Sequence, residues 1–442
     1  MPLPESLCLN TGVSVDLMNH KLFPLDPHAD PMEEAEQLRA LGQLVAVELP
    51  GGVPAWAATD LATSQRALGH EDLTKDPAFW PALVDGRIAD DWELIALVRG
   101  AGMLHMDGAD HRRLRQLVRS GFARAPIEAL RPFIEQTAEE LLDRLAATSS
   151  PDGTVDLREH FALPLPVTVI CQVLGVSDSS VGELRSRFDR LVTPQKGATS
   201  DDDIRVAVAD IYSSLSALIE WKRTDPGDDL TTALIQASDD GDRLSEQELV
   251  ETMFLVLIAG HETTINSITN TVHALLRHPV MLAAARGAED GETWANVVEE
   301  GLRYSPPVRH IMLRYAVKDT EIAGLRVSKG DAVLASVVPA GRDPGRHEHP
   351  DTFDITRTTS REHVAFGFGA HYCLGAQLAK LETEIALRAL LRRYPNLELA
   401  SDPARLTSIS LQGYQSLPVH LHGGDGTPTG ALTVDQVAAV TA

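Results

Sequence analysis

The chain has 442 residues, of which 43% are hydrophobic and 23% charged, and these ordinary values exclude a disordered or fibrous protein. Its 39 basic and 63 acidic residues give a formal net charge of −24, which disfavours binding to nucleic acid phosphates or to an anionic membrane surface. No apolar run reaches the ~20 residues of a membrane-spanning helix, and the N-terminal sequence lacks a secretory signal pattern. We therefore expect a soluble, cytoplasmic protein that binds neither nucleic acid nor membrane.

The N-terminal half is predicted to contain one β-hairpin followed by amphipathic helices. Residues 44–48 and 55–58 are strand-like and flank a Pro-Gly-Gly turn at 50–52, a pattern typical of a hairpin. Apolar residues then recur every three or four positions, which is the helical period, over residues 127–145, 177–191 and 204–222.

Two further helices are predicted with defined ends. Ser245 and Glu248 have the spacing of a capping box, in which each side chain bonds to the backbone N–H of the other residue. They start a long helix that is predicted to run past Asn270. Residues 294–304 predict another helix that ends before Pro306, because proline disfavours helical backbone at the residue that precedes it.

The C-terminal part completes the predicted fold. Its predicted elements are strands over 320–327 and 332–338 that form a second hairpin around 328–330, a long loop over 340–365 and a last helix over 374–393. The whole pattern predicts a single, mainly α-helical domain with small β-sheets over residues 1–422. Residues 423–442 begin with Gly-Gly-Asp-Gly-Thr-Pro-Thr-Gly, and this composition predicts a flexible tail.

One cysteine stands in a functional setting. Cys373 follows a glycine-rich loop and precedes a predicted helix, so backbone N–H groups and the positive end of the helix dipole lie near its sulfur and stabilise a thiolate. Such a thiolate is either a nucleophile or a metal ligand. No Ser, His or Asp grouping indicates acyl transfer, and ligation of haem iron by one thiolate fits better. Cys8 and Cys171 are interpreted as small buried hydrophobes.

The residues around Cys373 resemble a known signature. Residues 366–375, Phe-Gly-Phe-Gly-Ala-His-Tyr-Cys-Leu-Gly, match the haem-binding segment of the cytochrome P450 superfamily position by position. Three more motifs occur in the order that the superfamily requires: His-x-x-x-Arg at 111–115, Ala-Gly-His-Glu-Thr-Thr at 259–264 and Glu-x-x-Arg at 300–303. The resemblance extends over roughly residues 38–421. It implies the cytochrome P450 fold, a triangular, prism-like helical domain with a β-rich corner, and heme b (iron protoporphyrin IX) as the cofactor.

The resemblance also assigns roles to individual residues. Cys373 corresponds to the iron ligand, and the other haem-binding positions in the two central motifs are Phe366, Gly367, Ala259 and Gly260. Splitting the O–O bond of dioxygen requires two protons on the distal oxygen, and the resemblance makes Thr263 the alcohol and Glu262 the acid of that relay. A threonine hydroxyl that bonds to the carbonyl one turn earlier is expected to open the helix locally.

Haem carries two propionates, which need partners when they are buried. By resemblance these partners are His111, Arg115, Arg314 and His371. For Arg314 the neighbouring Arg309 is the alternative, since only the register of the chain separates the two. Glu300 and Arg303 are three residues apart on one helix face, and we expect them to form a buried structural ion pair that Arg357 completes.

The expected activity follows from the resemblance. Stretches at 80–86, 109–118, 259–268 and 363–382 are similar to the actinobacterial P450 family 154, which implies a haem-thiolate monooxygenase of secondary metabolism. Apolar segments at 92–98 and 308–313, with Met103 and Leu411, predict the walls of an apolar substrate site. The implied reaction inserts one atom of O2 into a steroid, a macrolactone or another apolar polycyclic or macrocyclic metabolite.

The electron donor is expected to be a separate protein. The sequence has no flavin or nicotinamide fingerprint, so an acidic ferredoxin and its reductase would supply the electrons. A cationic patch of Arg112, Arg113, Arg119 and Lys380 would steer that ferredoxin. Two alternatives remain open at this point: oxidative C–C or C–N coupling of a natural product such as a cyclic dipeptide, and a haem-binding module without catalytic activity.

Overall fold

Helices predominate over strands, which confirms the predicted fold class. The computed structural model describes residues 17, 19–100, 102–176, 201–236 and 244–421. Cys8, the predicted helix over residues 177–191 and the predicted tail over residues 423–442 lie outside this part of the chain. No helix in these ranges is long and apolar enough to cross a lipid bilayer.

The helices are numbered here in chain order within the described residues. They are α1 (Pro31–Leu41), α2 (Leu61–Gly69), α3 (Pro81–Val84), α4 (Ile95–Val98), α5 (Gly108–Arg119), α6 (Arg124–Ala129), α7 (Arg131–Leu145), α8 (Pro164–Leu174), α9 (Asp201–Thr224), α10 (Leu230–Gln236), α11 (Glu246–Arg277), α12 (Pro279–Gly287), α13 (Gly291–Tyr304), α14 (Val337–Gly341) and α15 (Ala376–Arg393).

The strands are short, and six of them form the largest sheet, in the order β1-β2-β3-β9-β6-β4. The strands are β1 (Phe23–Pro24), β2 (Leu44–Leu49), β3 (Val53–Ala58), β4 (Leu73–Thr74), β5 (Thr154–Asp156), β6 (His310–Ala316), β7 (Thr320–Ile322), β8 (Leu325–Val327), β9 (Ala332–Ser336), β10 (Glu398–Leu399) and β11 (Pro418–His420). Strands β7 and β8 form a two-stranded hairpin, and β10 pairs antiparallel with β11.

The residues divide into two compact units that are described separately. The first contains the described residues up to Asp107, Asn266–Cys373 and those from Tyr394 onward, and thus holds the large sheet. The second contains Gly108–Ile265 and Leu374–Arg393, and it is helical apart from β5. That the chain forms a single domain stays a prediction.

The first predicted hairpin is confirmed. Strands β2 and β3 pair antiparallel with Leu49 opposite Val53. The turn between them places Gly51 at φ +82° and Gly52 at φ +76°, a left-handed conformation that glycine adopts without steric cost.

The large sheet is buried on both faces. Side chains along a strand alternate between the two faces of a sheet, and here both sets are apolar. Val45, Val47 and Leu49 of β2 pack into one apolar cluster. Leu44 and Ala46 of the same strand pack into another, on the opposite face. The sheet therefore forms the centre of the first unit's core.

The second predicted hairpin is wrong. Residues 320–327 are not one strand, because the chain reverses at Ala323 and Gly324, whose φ angles are +51° and +77°. Strand β9 pairs instead with β3 in parallel and with β6 antiparallel. The usual sequence signal for such a tight turn is Asn-Gly or Asp-Gly, and alanine in the first position concealed it.

Other helix predictions hold with adjusted ends. The capping box is present, since Ser245 N donates to Glu248 Oε2 at 2.8 Å and Glu248 N donates to Ser245 Oγ at 3.2 Å. The predicted helix over residues 127–145 is in fact two helices, α6 and α7, separated at Leu130. Pro132 lies in the first turn of α7, where its missing N–H leaves no hydrogen bond unmade.

A buried ion pair in the first unit organises the long loop after α14. Glu300 and Arg303, on α13, have fully buried side chains, and two N–H groups of the guanidinium donate to the carboxylate at 2.7 and 2.8 Å. Arg357 Nε approaches the same carboxylate at 3.4 Å, which confirms the predicted third member. Arg303 also donates to the carbonyls of Gly341, Pro350 and Thr352. The pair thereby anchors residues 342–365, which contain no helix or strand.

His347 is buried beside this network. Its ring is 1% exposed and bonds through Nδ1 to Thr359 Oγ1 at 2.9 Å and through Nε2 to Glu362 O at 3.1 Å. Burial, together with the positive charges of Arg303 and Arg357, lowers the pKa of His347 to about 4. The imidazole is therefore neutral in the folded protein at neutral pH.

The His347 side chain predicts an acid-sensitive contribution to stability. An exposed histidine has a pKa of about 6.5, so between pH 6.5 and 4 the unfolded chain binds a proton that the folded chain does not. The free energy of unfolding should therefore fall as pH falls through this window. His347→Gln should make the fall shallower in chemical unfolding measured at several pH values.

His349→Gln is the matched control, because that ring is 82% exposed and stays in water on folding. Equal slopes for wild type, His347→Gln and His349→Gln would contradict the assignment.

Candidate active site

The cysteine segment forms a tight loop in the first unit. Cys373 N donates to Phe366 O at 2.8 Å, and Gly367 N donates to Val364 O at 2.9 Å. Gly367 and Gly369 have φ angles of +74° and +73°, which would strain any residue with a side chain. The loop presents Cys373 as an exposed residue three positions before α15 begins.

The other described cysteine is chemically different. Cys171 lies in α8, is fully buried and packs against Val167. Burial raises the pKa of its thiol to about 12, so it stays protonated. This confirms the interpretation of Cys171 as a small core residue and leaves Cys373 as the thiolate candidate among the described residues.

A polar cluster in the first unit contains His371 and Arg314. His371 Nε2 lies 2.8 Å from Asp107 Oδ1, and Asp107 Oδ2 accepts from Lys75 N at 2.5 Å and Thr74 Oγ1 at 3.0 Å. Burial alone would raise the pKa of Asp107, but the hydrogen bonds from His371 and Lys75 N hold it well below its usual range. Asp107 is thus an anion that orients His371.

Arg314, on β6, meets the requirement for holding a further anion. Its side chain is buried, and its Nε has no hydrogen-bond partner among the described residues. A buried guanidinium donor without an acceptor is costly, and a haem propionate carboxylate would satisfy it. Arg309 is already committed, since it pairs with Glu34 at 2.7 Å and donates to Ser408 O and Asp26 O. The geometry thus favours Arg314 over Arg309.

The second unit contains the other two predicted propionate ligands. His111 and Arg115 lie one turn apart on α5, the first buried and the second half-buried. Arg112 and Arg119 on the same helix are exposed. Arg113, predicted as part of the cationic patch, instead forms an ion pair with Glu248, so it contributes less positive charge to the surface than predicted.

Helix α11 carries the predicted relay residues. Thr263 Oγ1 donates to Ala259 O at 2.7 Å, and Thr264 Oγ1 donates to Gly260 O at 3.0 Å. The predicted local opening is wrong, since the helix is continuous from Glu246 to Arg277. A carbonyl oxygen has two lone pairs and accepts a hydroxyl beside the backbone N–H. Ala259 is exposed and Thr263 half-buried, whereas Thr264 is buried.

Glu262 has a cationic partner that sequence reasoning missed. Arg158 Nη2 lies 2.6 Å from Glu262 Oε1, and the two side chains are only 9% and 12% exposed. Arg158 begins a π-helical turn, Arg158–Ala162, and its backbone N donates to Asp156 Oδ1 at 2.9 Å. The two residues are 104 positions apart in the sequence, so no local pattern predicts their contact. The sequence did not reveal the role of Asp107 either, because its partner His371 is also distant along the chain.

The predicted substrate walls are partly core. Trp92 and Met103 are 8% and 7% exposed, and Trp92 belongs to the apolar cluster on the sheet. Leu97 and Leu104 are large hydrophobic residues of this region that stay exposed. Val308 pairs with Leu411 in an isolated antiparallel bridge, so these two predicted wall segments are neighbours.

The chain is similar to known proteins of one family. The family model for cytochrome P450 matches residues 198–288 and 294–410. 2-Hydroxy-5-methyl-1-naphthoate 7-hydroxylase of Streptomyces carzinostaticus is 40% identical over 408 residues, which cover 91% of this chain and 98% of that protein. 6-Deoxyerythronolide B hydroxylase of Saccharopolyspora erythraea is 37% identical over 404 residues, covering 90% and 97%.

The chain is also similar to solved structures of this family. Testosterone-bound CYP154C4 from Streptomyces sp. ATCC 11861 is 39% identical, with a TM-score of 0.84 over 91% of this chain and 99% of that chain. The chain belongs to the cytochrome P450 family, and its structure resembles family 154 within it. It is a cytochrome P450 monooxygenase, and the family implies a haem-thiolate cofactor, O2, a small-molecule substrate and a redox partner.

The Arg158–Glu262 ion pair predicts a loss of stability on substitution. Arg158→Met removes the guanidinium from a largely buried carboxylate, and breaking such a pair costs about 3 kcal/mol of the free energy of unfolding. The measurement is chemical unfolding followed by circular dichroism. Arg113→Met is the control in the same unit, because its pair with Glu248 is 26% and 25% exposed and should cost about 1 kcal/mol or less. A loss for Arg158→Met no larger than the control's would contradict the assignment.

Proposed function

We propose that this monooxygenase binds heme b through Cys373 and inserts one atom of O2 into an apolar polycyclic or macrocyclic secondary metabolite. The observation that carries the proposal is the exposed Cys373 at the end of a loop whose glycines adopt left-handed backbone. That loop lets a flat cofactor approach the sulfur closely. The relatives' names support the substrate class, since they refer to a naphthoate, to 6-deoxyerythronolide B and to testosterone.

Each unit carries residues that are proposed to bind haem. His371 and Arg314 would bind propionates from the first unit, with Asp107 orienting His371. His111 and Arg115 would do so from α5. Phe366 and Gly367, and Ala259 and Gly260 on α11, would supply the backbone surfaces against which the macrocycle lies.

When bound, haem supplies the iron that binds and activates O2. The chain supplies the protons and holds the groups that deliver them in position. Thr263 Oγ1 donates a hydrogen bond to Ala259 O, so its lone pairs are available to accept a hydrogen bond from water. After turning away from Arg158, the Glu262 carboxylate would take up a proton from solvent and pass it to that water. The ion pair therefore holds the acid in a defined resting position.

The proposed electron donor is an acidic ferredoxin. The chain has a formal charge of −24, yet Arg112 and Arg119 are exposed together on α5. A local cationic surface on an anionic protein orients an acidic partner before contact. Lys380, half-buried on α15, belongs to the same unit.

Cys373 predicts the absorption spectrum of the reduced protein under carbon monoxide. Wild type should show the long-wavelength Soret band of thiolate-ligated haem, and Cys373→Ser should lose it, because a hydroxyl does not replace a thiolate. Cys171→Ala should keep the band, since that thiol is buried and protonated. A thiolate band in Cys373→Ser, or haem-free wild type, would overturn the proposal.

Thr263 and Glu262 predict how efficiently electrons are used. Thr263→Val and Glu262→Gln should each lower the product formed per reductant consumed by ~10-fold or more, because general acid–base groups contribute ~100-fold or more to rate. Thr264→Val is the control, since its hydroxyl makes the same type of bond but is buried.

Labelled O2 decides between oxygen insertion and its alternatives in the same assay. One labelled oxygen atom in the product supports monooxygenation. Product without label would mean oxidative coupling instead. Failure to consume reductant with any donor would favour a haem-binding module.

A further inference from the structure

Lys75 is a buried lysine for which the site described so far has no use. It follows β4, is 8% exposed, and its Nζ donates to Met312 O at 2.6 Å. Lys75 Nζ forms no ion pair with a carboxylate of the described residues. Burial and the nearby Arg314 lower the pKa of Lys75 to about 7, although Asp107 opposes the change.

Four ionisable groups face Lys75, and their charges do not balance. Arg314 and Asp107 act on its charge directly, and His105 and His371 respond to it in turn. Asp107 is the one carboxylate among them, and its oxygens already accept bonds from His371, Lys75 N and Thr74. When Lys75 is protonated, two buried cations thus share one anion that is already engaged.

The second unit shows the usual arrangement for comparison. Lys222 is 7% exposed, as deeply buried as Lys75, and its Nζ pairs with Asp229 Oδ2 at 2.6 Å. A buried ammonium normally has such a partner. Arg314 Nε has no hydrogen-bond partner among the described residues, and the ammonium of Lys75 has N–H groups besides the one that donates to Met312 O. The cluster therefore offers two cationic donors to an additional anion.

We propose that Lys75 binds a carboxylate of the haem, beside Arg314, and so is a further cofactor-binding residue. The proposal rests on the proposed haem function, because heme b brings carboxylates to this cluster. The propionate compensates the excess positive charge that Lys75, Arg314 and Asp107 leave. Lys75 in turn contributes a strong, charge-assisted bond at a position outside the sequence motifs.

The test measures haem loss from the substrate-free holoenzyme to excess apomyoglobin, followed by absorption. Lys75→Met keeps the length of the side chain and removes its charge, and we expect haem loss to accelerate ~10-fold, the equivalent of one weakened charged contact. The reduction potential of the haem should fall in the same variant, because a cation near the cofactor favours the reduced form.

Lys222→Met is the matched control, since it removes an equally buried ammonium that has its own carboxylate. It should leave haem loss and potential at the wild-type values. Unchanged haem loss in Lys75→Met, or equal acceleration in both variants, would overturn the proposal. Lys75→Arg keeps the charge and should stay closer to wild type than Lys75→Met does.

Two further measurements distinguish a haem carboxylate from a ligand carboxylate at Lys75. The reduced carbon monoxide spectrum of wild type reports whether the haem-thiolate function itself holds, independently of Lys75. If Lys75→Met leaves haem loss unchanged but weakens the spin-state response to 1-naphthoate and not to methyl 1-naphthoate, the carboxylate belongs to a ligand and the proposal is wrong.

Discussion

The ion pair between Glu300 and Arg303 is the interaction on which the rest of the first unit depends. Both side chains are withdrawn from water, a cost that is offset only when every donor and acceptor finds a partner. The guanidinium meets that condition by bonding to three backbone carbonyls as well as to the carboxylate. Residues 342–365 have no regular hydrogen-bond ladder of their own, so these bonds take its place. The same segment leads directly to the Cys373 loop, whose position it therefore determines.

The site shows a common principle in how charges are handled. The surface is strongly anionic, but the buried charges occur as defined pairs such as Arg158 with Glu262 and Lys222 with Asp229. Burying an isolated charge costs free energy, so each pair stabilises the fold only while both partners stay in position. The cluster around Arg314 departs from this rule because its positive charge exceeds its negative charge. A protein that binds an anionic cofactor needs that kind of imbalance before the cofactor arrives.

Local patterns in the sequence predicted the elements whose causes are local. The capping box at Ser245 and the glycine turn at 51–52 depend on residues within four positions of each other, and both are present. The break at Leu130 and the turn at Ala323 were missed because their residue types are not those that usually mark such sites. The pairs Asp107–His371 and Arg158–Glu262 join residues 264 and 104 positions apart. No pattern within a window of the sequence contains such contacts, whereas the motif around Cys373 lies within one loop.

The π-helical turn at Arg158–Ala162 has a consequence for how this chain can vary. A π-turn accommodates one residue more than the corresponding α-helical turn. Deleting one residue there would give a regular helix with a complete set of hydrogen bonds, so the deletion would not strain the backbone. The deletion would nevertheless rotate the preceding positions by ~100° about the helix axis, and Arg158 would no longer point at Glu262. Chain length in this short segment is therefore constrained by a side-chain contact rather than by folding of the helix, so insertions and deletions should be tolerated nearby but not here.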